Sequence, residues 1–158
     1  MSLDAPLTAT IILALQLIAV CWFDWRSLRI PNALNATILL TGTATAAALF
    51  AAPLGASLFK AACVWLSFFI LAKAFENLRG RQGLGGGDIK FLAAASTWIN
   101  LETLPWAVLI ASLSALALIG AKAMVSGAAT AAQRHAFGPH LSLGLFSTWL
   151  AFAGAPTT

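Results

Sequence analysis

The chain has 158 residues, of which 60% are hydrophobic and 9% are charged, with a formal net charge of +4. An average soluble protein is about 25% charged and about 45–50% apolar. A water-soluble fold of this length could not bury so much apolar surface, so the composition indicates an integral membrane protein. Basic loops on the cytoplasmic side of a lipid bilayer explain the positive charge, and no nucleic-acid partner is expected.

Six apolar stretches follow one another along the chain. They cover residues 5–23, 33–51, 56–75, 89–101, 104–122 and 139–155. A membrane-spanning helix needs about 20 residues, and the fourth stretch is the shortest and weakest candidate. The pattern predicts an all-α, polytopic membrane protein of about six transmembrane helices. No internal repeat or linker divides the chain, so residues 1–158 are expected to form a single integral-membrane domain.

The basic residues predict the orientation of these helices. If the N-terminus lies outside, all nine Lys and Arg residues except Lys60 fall in cytoplasmic loops or at cytoplasmic helix ends. Cytoplasmic loops of membrane proteins are enriched in Lys and Arg, so both termini are predicted to face the periplasm. Trp22, Trp25 and Trp106 lie near predicted helix ends, as is typical of tryptophans at the membrane interface.

Two acids stand at the edges of apolar stretches. Asp24 closes the first stretch and Asp88 opens the fourth, and the predicted topology places both at the cytoplasmic side, whereas Asp4 and Glu102 fall on the outer side. Ionisable residues at membrane depth are costly and usually functional. Two facing carboxylates share a proton, because both cannot ionise easily. The ionised member can deprotonate water while the neutral member polarises a carbonyl, so the pair indicates an aspartic protease.

Three glycines, Gly85, Gly86 and Gly87, directly precede Asp88. Glycine permits left-handed backbone, and a loop without side chains admits the backbone of a substrate. Lys90 either orients the substrate or Asp88, or extends to the membrane interface. In the simpler alternative the glycines are a flexible hinge and Asp88 is a helix N-cap. The second acid on the same side favours the functional interpretation.

Three segments, in chain order, resemble the type IV prepilin peptidases, which are intramembrane aspartic proteases with a G-x-G-D signature. The segments are Asp24 followed by the basic Arg26 and Arg29 and then Ile30, Pro31 and Asn32; the string GGGDIKFLAAASTW, which contains Asp88 and Lys90; and Phe137, Gly138 and Pro139 ahead of a Leu-rich stretch. The proline that precedes the phenylalanine in the family is absent here. Pro31 is expected to break the helix after the first stretch, and Asn32 to cap the second.

The resemblance implies that Asp24 and Asp88 are catalytic. It also implies that the protein removes the short basic leader from prepilins or pseudopilins, at the cytoplasmic face of a bacterial inner membrane. Many members carry an N-terminal cysteine-rich domain linked to methylation; nothing precedes the first stretch here, so cleavage without methylation is expected. The chain is most similar to the short peptidases of Flp-type (tight adherence) pilus systems, with archaeal preflagellin peptidases as near neighbours. The sequence does not indicate an oligomeric state.

Other classes of function fit the sequence less well. In a small proton- or ion-coupled transporter or assembly subunit the two acids would carry the ion, but the paired half-repeats common in transporters are not visible. Two aspartates without a local His or Glu cluster make a poor metal site, and Cys21 and Cys63 lie apart in apolar stretches. No metal or cofactor is therefore expected. His135 and His140 are expected to be loop histidines without a catalytic partner.

Overall fold

The computed structural model describes residues 4–81, 83–126 and 136–152, and these residues fold into six α-helices without a β-strand. The helices are α1 (Asp4–Ser27), α2 (Asn32–Phe50), α3 (Leu54–Arg79), α4 (Gly86–Ala95), α5 (Leu104–Ser126) and α6 (Gly138–Phe152). Each predicted apolar stretch coincides with one helix, which confirms the all-helical prediction.

Four helices are long and apolar enough to cross a membrane. These spans are Ala5–Ser27 of α1, all of α2 and α3, and Leu104–Val125 of α5. Helix α4 has ten residues, which at 1.5 Å per residue covers about 15 Å, or about half of the hydrocarbon core. The 15 residues of α6 also fall short of a span. Which side of the membrane the termini face stays a prediction.

The turn between α1 and α2 is fixed by its backbone. Leu28 adopts left-handed backbone with φ 51°, and its N–H bonds to the carbonyl of Asp24 at 2.9 Å. Pro31 is extended and directly precedes α2, where its missing N–H costs no helical hydrogen bond. The expectation that Asn32 caps α2 is wrong, because Pro31 occupies the cap position and Asn32 is the first helical residue.

Helix α4 lies inside the bundle and packs against α2, α3 and α6. From Ile89 to Ala95 every residue except Lys90 is buried. A helix that is apolar around most of its circumference is expected to be buried, and α4 follows this rule from its second turn onward. Its first turn, which carries Asp88, and the exposed side chain of Lys90 reach the surface of the bundle.

The segment that follows α4 is held by side chains from its neighbours. The indole Nε1 of Trp98 donates to the carbonyl of Ile38 at 2.9 Å, and Lys60 Nζ donates to the carbonyl of Ile99 at 3.0 Å. Trp98 also packs edge-on against Trp149, with ring centroids 5.5 Å apart. Lys60 therefore lies beyond the C-terminal end of α4, opposite to the end that begins at the glycine loop.

The remaining five helices form an open arc around α4. Their order is α5, α6, α1, α2 and α3, and each helix contacts the next. In the described part of the chain, no Cα atom of α3 lies within 8 Å of a Cα atom of α5. The arc is therefore not closed between these two helices.

Candidate active site

Asp24 lies in the last turns of α1 and is buried, with 5% of its surface exposed. Its Oδ2 accepts a hydrogen bond from the backbone N–H of Gly138 at 2.7 Å. Gly138 is the first residue of α6, and a helix N-terminus favours a negative charge at this position. A Cβ atom on residue 138 would lie 2.8 Å from Asp24 Oδ2, so only glycine allows this contact.

Asp88 lies in the first turn of α4, two residues after the helix begins at Gly86. Gly85 occupies the cap position of α4, so Asp88 is not itself the N-cap. A Cβ atom on Gly85 would lie 3.1 Å from Asp88 Oδ2, so the carboxylate lies close to the cap residue. The side chain is partly buried and points toward the loop.

Asp24 and Asp88 line one cavity of about 690 Å³. The cavity lies between the C-terminal end of α1, the N-terminal ends of α4 and α6, and the middle of α5. Burial, and after it the negative charge of Asp24, raises the pKa of Asp88 from 3.8 to about 6, although the Gly85 N–H acts in the opposite direction. The two acids are therefore close enough for the charge of one to influence the protonation of the other.

The glycine loop forms one wall of this cavity. Residues 83–87 all line it, and residues 85–87 have no left-handed backbone, since Gly80 is the only glycine with positive φ among the described residues. A side chain would be crowded only at the first of these glycines. A Cβ atom on Gly85 would lie 3.1 Å from Asp88 Oδ2, whereas one on Gly87 would make an ordinary contact of 3.7 Å with the backbone nitrogen of Ile30, and one on Gly86 would meet nothing within 4 Å.

The segment Ile30, Pro31 and Asn32 reaches the same site. Ile30 is buried and, like Asn32, lines the cavity. Asn32 Oδ1 accepts a hydrogen bond from Lys90 Nζ at 2.9 Å. This bond joins α4 to the start of α2. The Lys90 side chain therefore contacts Asn32 of α2 and not the carboxylate of Asp88.

Sequence reasoning did not assign His140 to the site. His140 lies in the first turn of α6 and lines the cavity together with Phe137 of the third matched segment, and its Nδ1 lies 2.9 Å from Ser114 Oγ of α5. The proximity of His140 to Gly138 in sequence was the available signal. Pro139 lies in the first turn of α6, where proline is tolerated. His135 lies outside the described residues.

A second missed wall comes from α5. Ala115, Leu118 and Ile119 line the same cavity as the two acids. Apolar residues on an apolar helix carry no signal of which face meets the site, so the sequence could not have assigned them. Among the described residues, no group of three or more His, Cys, Asp and Glu side chains could hold a metal ion.

Comparison of the sequence with known proteins identifies the family of the chain. The chain is 35% identical over 99 residues to the prepilin leader peptidase/N-methyltransferase of Dickeya chrysanthemi, covering 63% of this chain and 35% of the relative. It is 34% identical over 152 residues to the protein of that name from Burkholderia pseudomallei, covering 91% and 46%. It is 29% identical over 143 residues to the one from Aeromonas salmonicida, covering 90% and 48%.

The chain thus spans at most about half the length of these curated relatives. No solved structure matches it. The model of the type IV leader peptidase family matches residues 11–120, which include Asp24, Asp88 and the glycine loop between α3 and α4. Because this match covers more than half of the chain, and the relatives bear the names that the resemblance implied, the chain belongs to the type IV leader peptidase family.

Proposed function

We propose that the protein is an aspartic endopeptidase that removes the short basic leader from prepilins or pseudopilins. Asp24 and Asp88 act together on one peptide bond. The enzyme sits in a bacterial inner membrane with its cavity open to the cytoplasm. Water and the two acids carry the reaction, with no metal and no cofactor.

One observation carries this proposal. Asp24 and Asp88, which belong to different helices and lie far apart in sequence, line the same cavity. This is the arrangement that paired-carboxylate hydrolysis needs. The names of the relatives point to prepilin leaders as the substrate class.

The different surroundings of the two acids support a division of roles. Asp88 is proposed to hold the shared proton, because burial and, after it, the negative charge of Asp24 raise its pKa to about 6. Asp24 is the ionised member, and the Gly138 N–H supports its charge. A water molecule gives a proton to Asp24 while its oxygen bonds to the carbonyl carbon, and Asp88 gives its proton to the carbonyl oxygen.

The tetrahedral diol then collapses. The amide nitrogen takes the proton from Asp24 as the carbon–nitrogen bond breaks, and a diol hydroxyl returns a proton to Asp88. Both acids regain their starting states. The glycine loop supports this chemistry because residues 83–87 give an extended peptide room to approach Asp88.

The charge distribution supports the proposed orientation. Arg26 lies in the last turn of α1, Arg29 follows that helix and lines the cavity, and Arg79 lies in the last turn of α3. Lys60 lies at the opposite end of α4. Basic residues concentrate on the cytoplasmic side of membrane proteins, so the cavity faces the cytoplasm.

The test is processing of a co-expressed prepilin by single variants. Asp24→Asn and Asp88→Asn keep the side-chain shape and remove the ionisable group, so each abolishes cleavage. The mass of the isolated product locates the cut and shows any added methyl group. Membrane fractionation shows that each variant is still inserted.

Glu102→Gln is the matched control, because Glu102 is exposed and lies in the turn before α5, away from the cavity. It leaves cleavage unchanged. Continued cleavage by both Asn variants would contradict the mechanism. Proton-coupled uptake into proteoliposomes, lost in Asp88→Asn, would then favour the transporter alternative.

A further inference from the structure

The cavity has one wall that the proposed chemistry does not use. Ala115, Leu118 and Ile119 of α5 line the same cavity as the two acids. These side chains offer no proton and no hydrogen bond. They form an apolar part of the cavity wall, so they suit a part of the substrate that is not cut.

This apolar wall stands beside the opening of the helical arc. Helix α3 contributes no lining residue to the cavity, and its Cα atoms stay more than 8 Å from those of α5 throughout the described chain. Close helix packing therefore does not close the arc between α3 and α5, on the side of the cavity that α5 lines.

Both helices also carry exposed apolar side chains. Leu118 lines the cavity and is also 41% exposed, and on α3 Leu71 and Leu78 are 63% and 84% exposed. A cavity mouth that met only water would be expected to be rimmed by polar side chains. Exposed apolar side chains of this kind suit contact with lipid or with an apolar helix in the bilayer.

We propose that the apolar helix of the substrate, directly after the cut bond, lies in the opening between α3 and α5 and contacts Leu118. This inference rests on the proposed function, and it adds the docking surface. The surface is continuous with the site of cleavage, since Leu118 belongs to both. A membrane-inserted substrate thus reaches the acids by sliding sideways within the bilayer, and its polar leader enters from the aqueous side.

Cysteine cross-linking tests the position of that helix. In a background of Cys21→Ala and Cys63→Ala, the enzyme carries Leu118→Cys, and a prepilin that the wild-type protein cuts carries one cysteine just after its cleavage site. Adding Asp88→Asn prevents turnover while the cross-link forms. Leu116→Cys is the control, because Leu116 is 65% exposed and does not line the cavity. We expect a several-fold higher yield of cross-linked product from residue 118 than from residue 116.

Activity separates the two proposals. Without Asp88→Asn, both cysteine variants are assayed for cleavage, which shows that they are folded. Cleavage with equal cross-linking at residues 116 and 118 would overturn the docking surface and leave the peptidase proposal intact. If the wild-type protein cuts no prepilin, the peptidase proposal fails and the docking surface falls with it.

A second variant measures the same contact without cross-linking. Leu118→Trp fills the opening, so we expect a several-fold higher KM for the membrane-inserted prepilin and an unchanged KM for a soluble peptide that contains only the leader and the cut bond. Leu116→Trp leaves both values unchanged. An equal rise of KM for both substrates would overturn the proposal, since it would place the effect at the acids.

Discussion

At the scale of single residues, the environment of Asp88 sets the pH range of the reaction. Its pKa is raised from 3.8 to about 6, so the carboxyl keeps its proton below about pH 6 and loses it as the pH rises further. The proposed mechanism needs that proton on the carbonyl oxygen. We therefore expect kcat/KM of the purified enzyme to fall as the pH rises above about 6, and a pH–rate profile measures this.

The rising and falling limbs of that pH–rate profile report apparent pKa values of the pair of acids and not of either acid alone, because two interacting groups titrate together. On the acidic side, protonation of both carboxylates removes the base and activity falls again. A profile that is flat or still rising through the alkaline range would contradict a shared-proton mechanism.

Gly138 makes a second residue-scale prediction. A Cβ atom at this position would lie 2.8 Å from Asp24 Oδ2 and 2.9 Å from Asp24 Cβ, so Gly138→Ala displaces the carboxylate and weakens its hydrogen bond. A misplacement of about 1 Å can cost up to ~10²-fold in rate, and we expect a loss of kcat of one to two orders of magnitude. Steady-state kinetics measures it.

The matched control for this variant is Gly55→Ala in α3. Nothing lies within 4 Å of a Cβ atom at Gly55, so alanine is accommodated there and activity is retained. Thermal unfolding in detergent separates a displaced acid from a misfolded protein. A Gly138→Ala enzyme with full activity would show that the Asp24 contact does not matter for turnover.

At the scale of helices, the bond between Asn32 and Lys90 joins α4, which carries Asp88, to the start of α2, the helix that follows the one carrying Asp24. Lys90 Nζ and Asn32 Oδ1 are 2.9 Å apart, and Asn32 lies five residues after the last residue of α1. A hydrogen bond of this kind contributes about 1 kcal/mol. We expect Lys90→Met and Asn32→Leu each to lower kcat/KM several-fold.

The double variant decides whether the two residues act through each other. If they do, combining the changes costs little more than either change alone, because coupled residues are not additive. Lys122→Met, at an exposed position of α5, controls for loss of charge. Additive losses from the two variants would argue that Lys90 and Asn32 act independently.

The positions of the helices could be predicted from the sequence, but their packing could not. The apolar stretches end at strong breakers, such as Pro31 before α2 and Gly80 after α3, whose φ of 64° closes that helix. No local sequence pattern predicts that the Gly138 N–H donates a hydrogen bond to Asp24, since 114 positions separate the two residues. The helix contacts of α4 likewise arise only when α2, α3 and α6 assemble around it.

At the scale of the whole molecule, the sequence predicted which acids belong together and why. The prediction used charge: placing the basic residues on one side put Asp24 and Asp88 on that side as well. The structure brings both into one cavity, and it adds the apolar wall of α5, which composition alone could not assign. Four of the six helices are long and apolar enough to span a membrane. The other two, α4 and α6, have ten and 15 residues, and α4 packs inside the bundle.

Membrane sidedness tests the central arrangement most directly. In a protein without native cysteines, Arg29→Cys and Lys90→Cys place single thiols at exposed positions on the cavity rim, next to Asp24 and Asp88. Glu102→Cys places one at the other end of the bundle. Each variant is treated with a membrane-impermeant maleimide in inside-out and right-side-out vesicles. We expect residues 29 and 90 to be labelled only from the cytoplasmic face, and residue 102 only from the outer face; labelling of 29 and 90 from opposite faces would rule out a shared site.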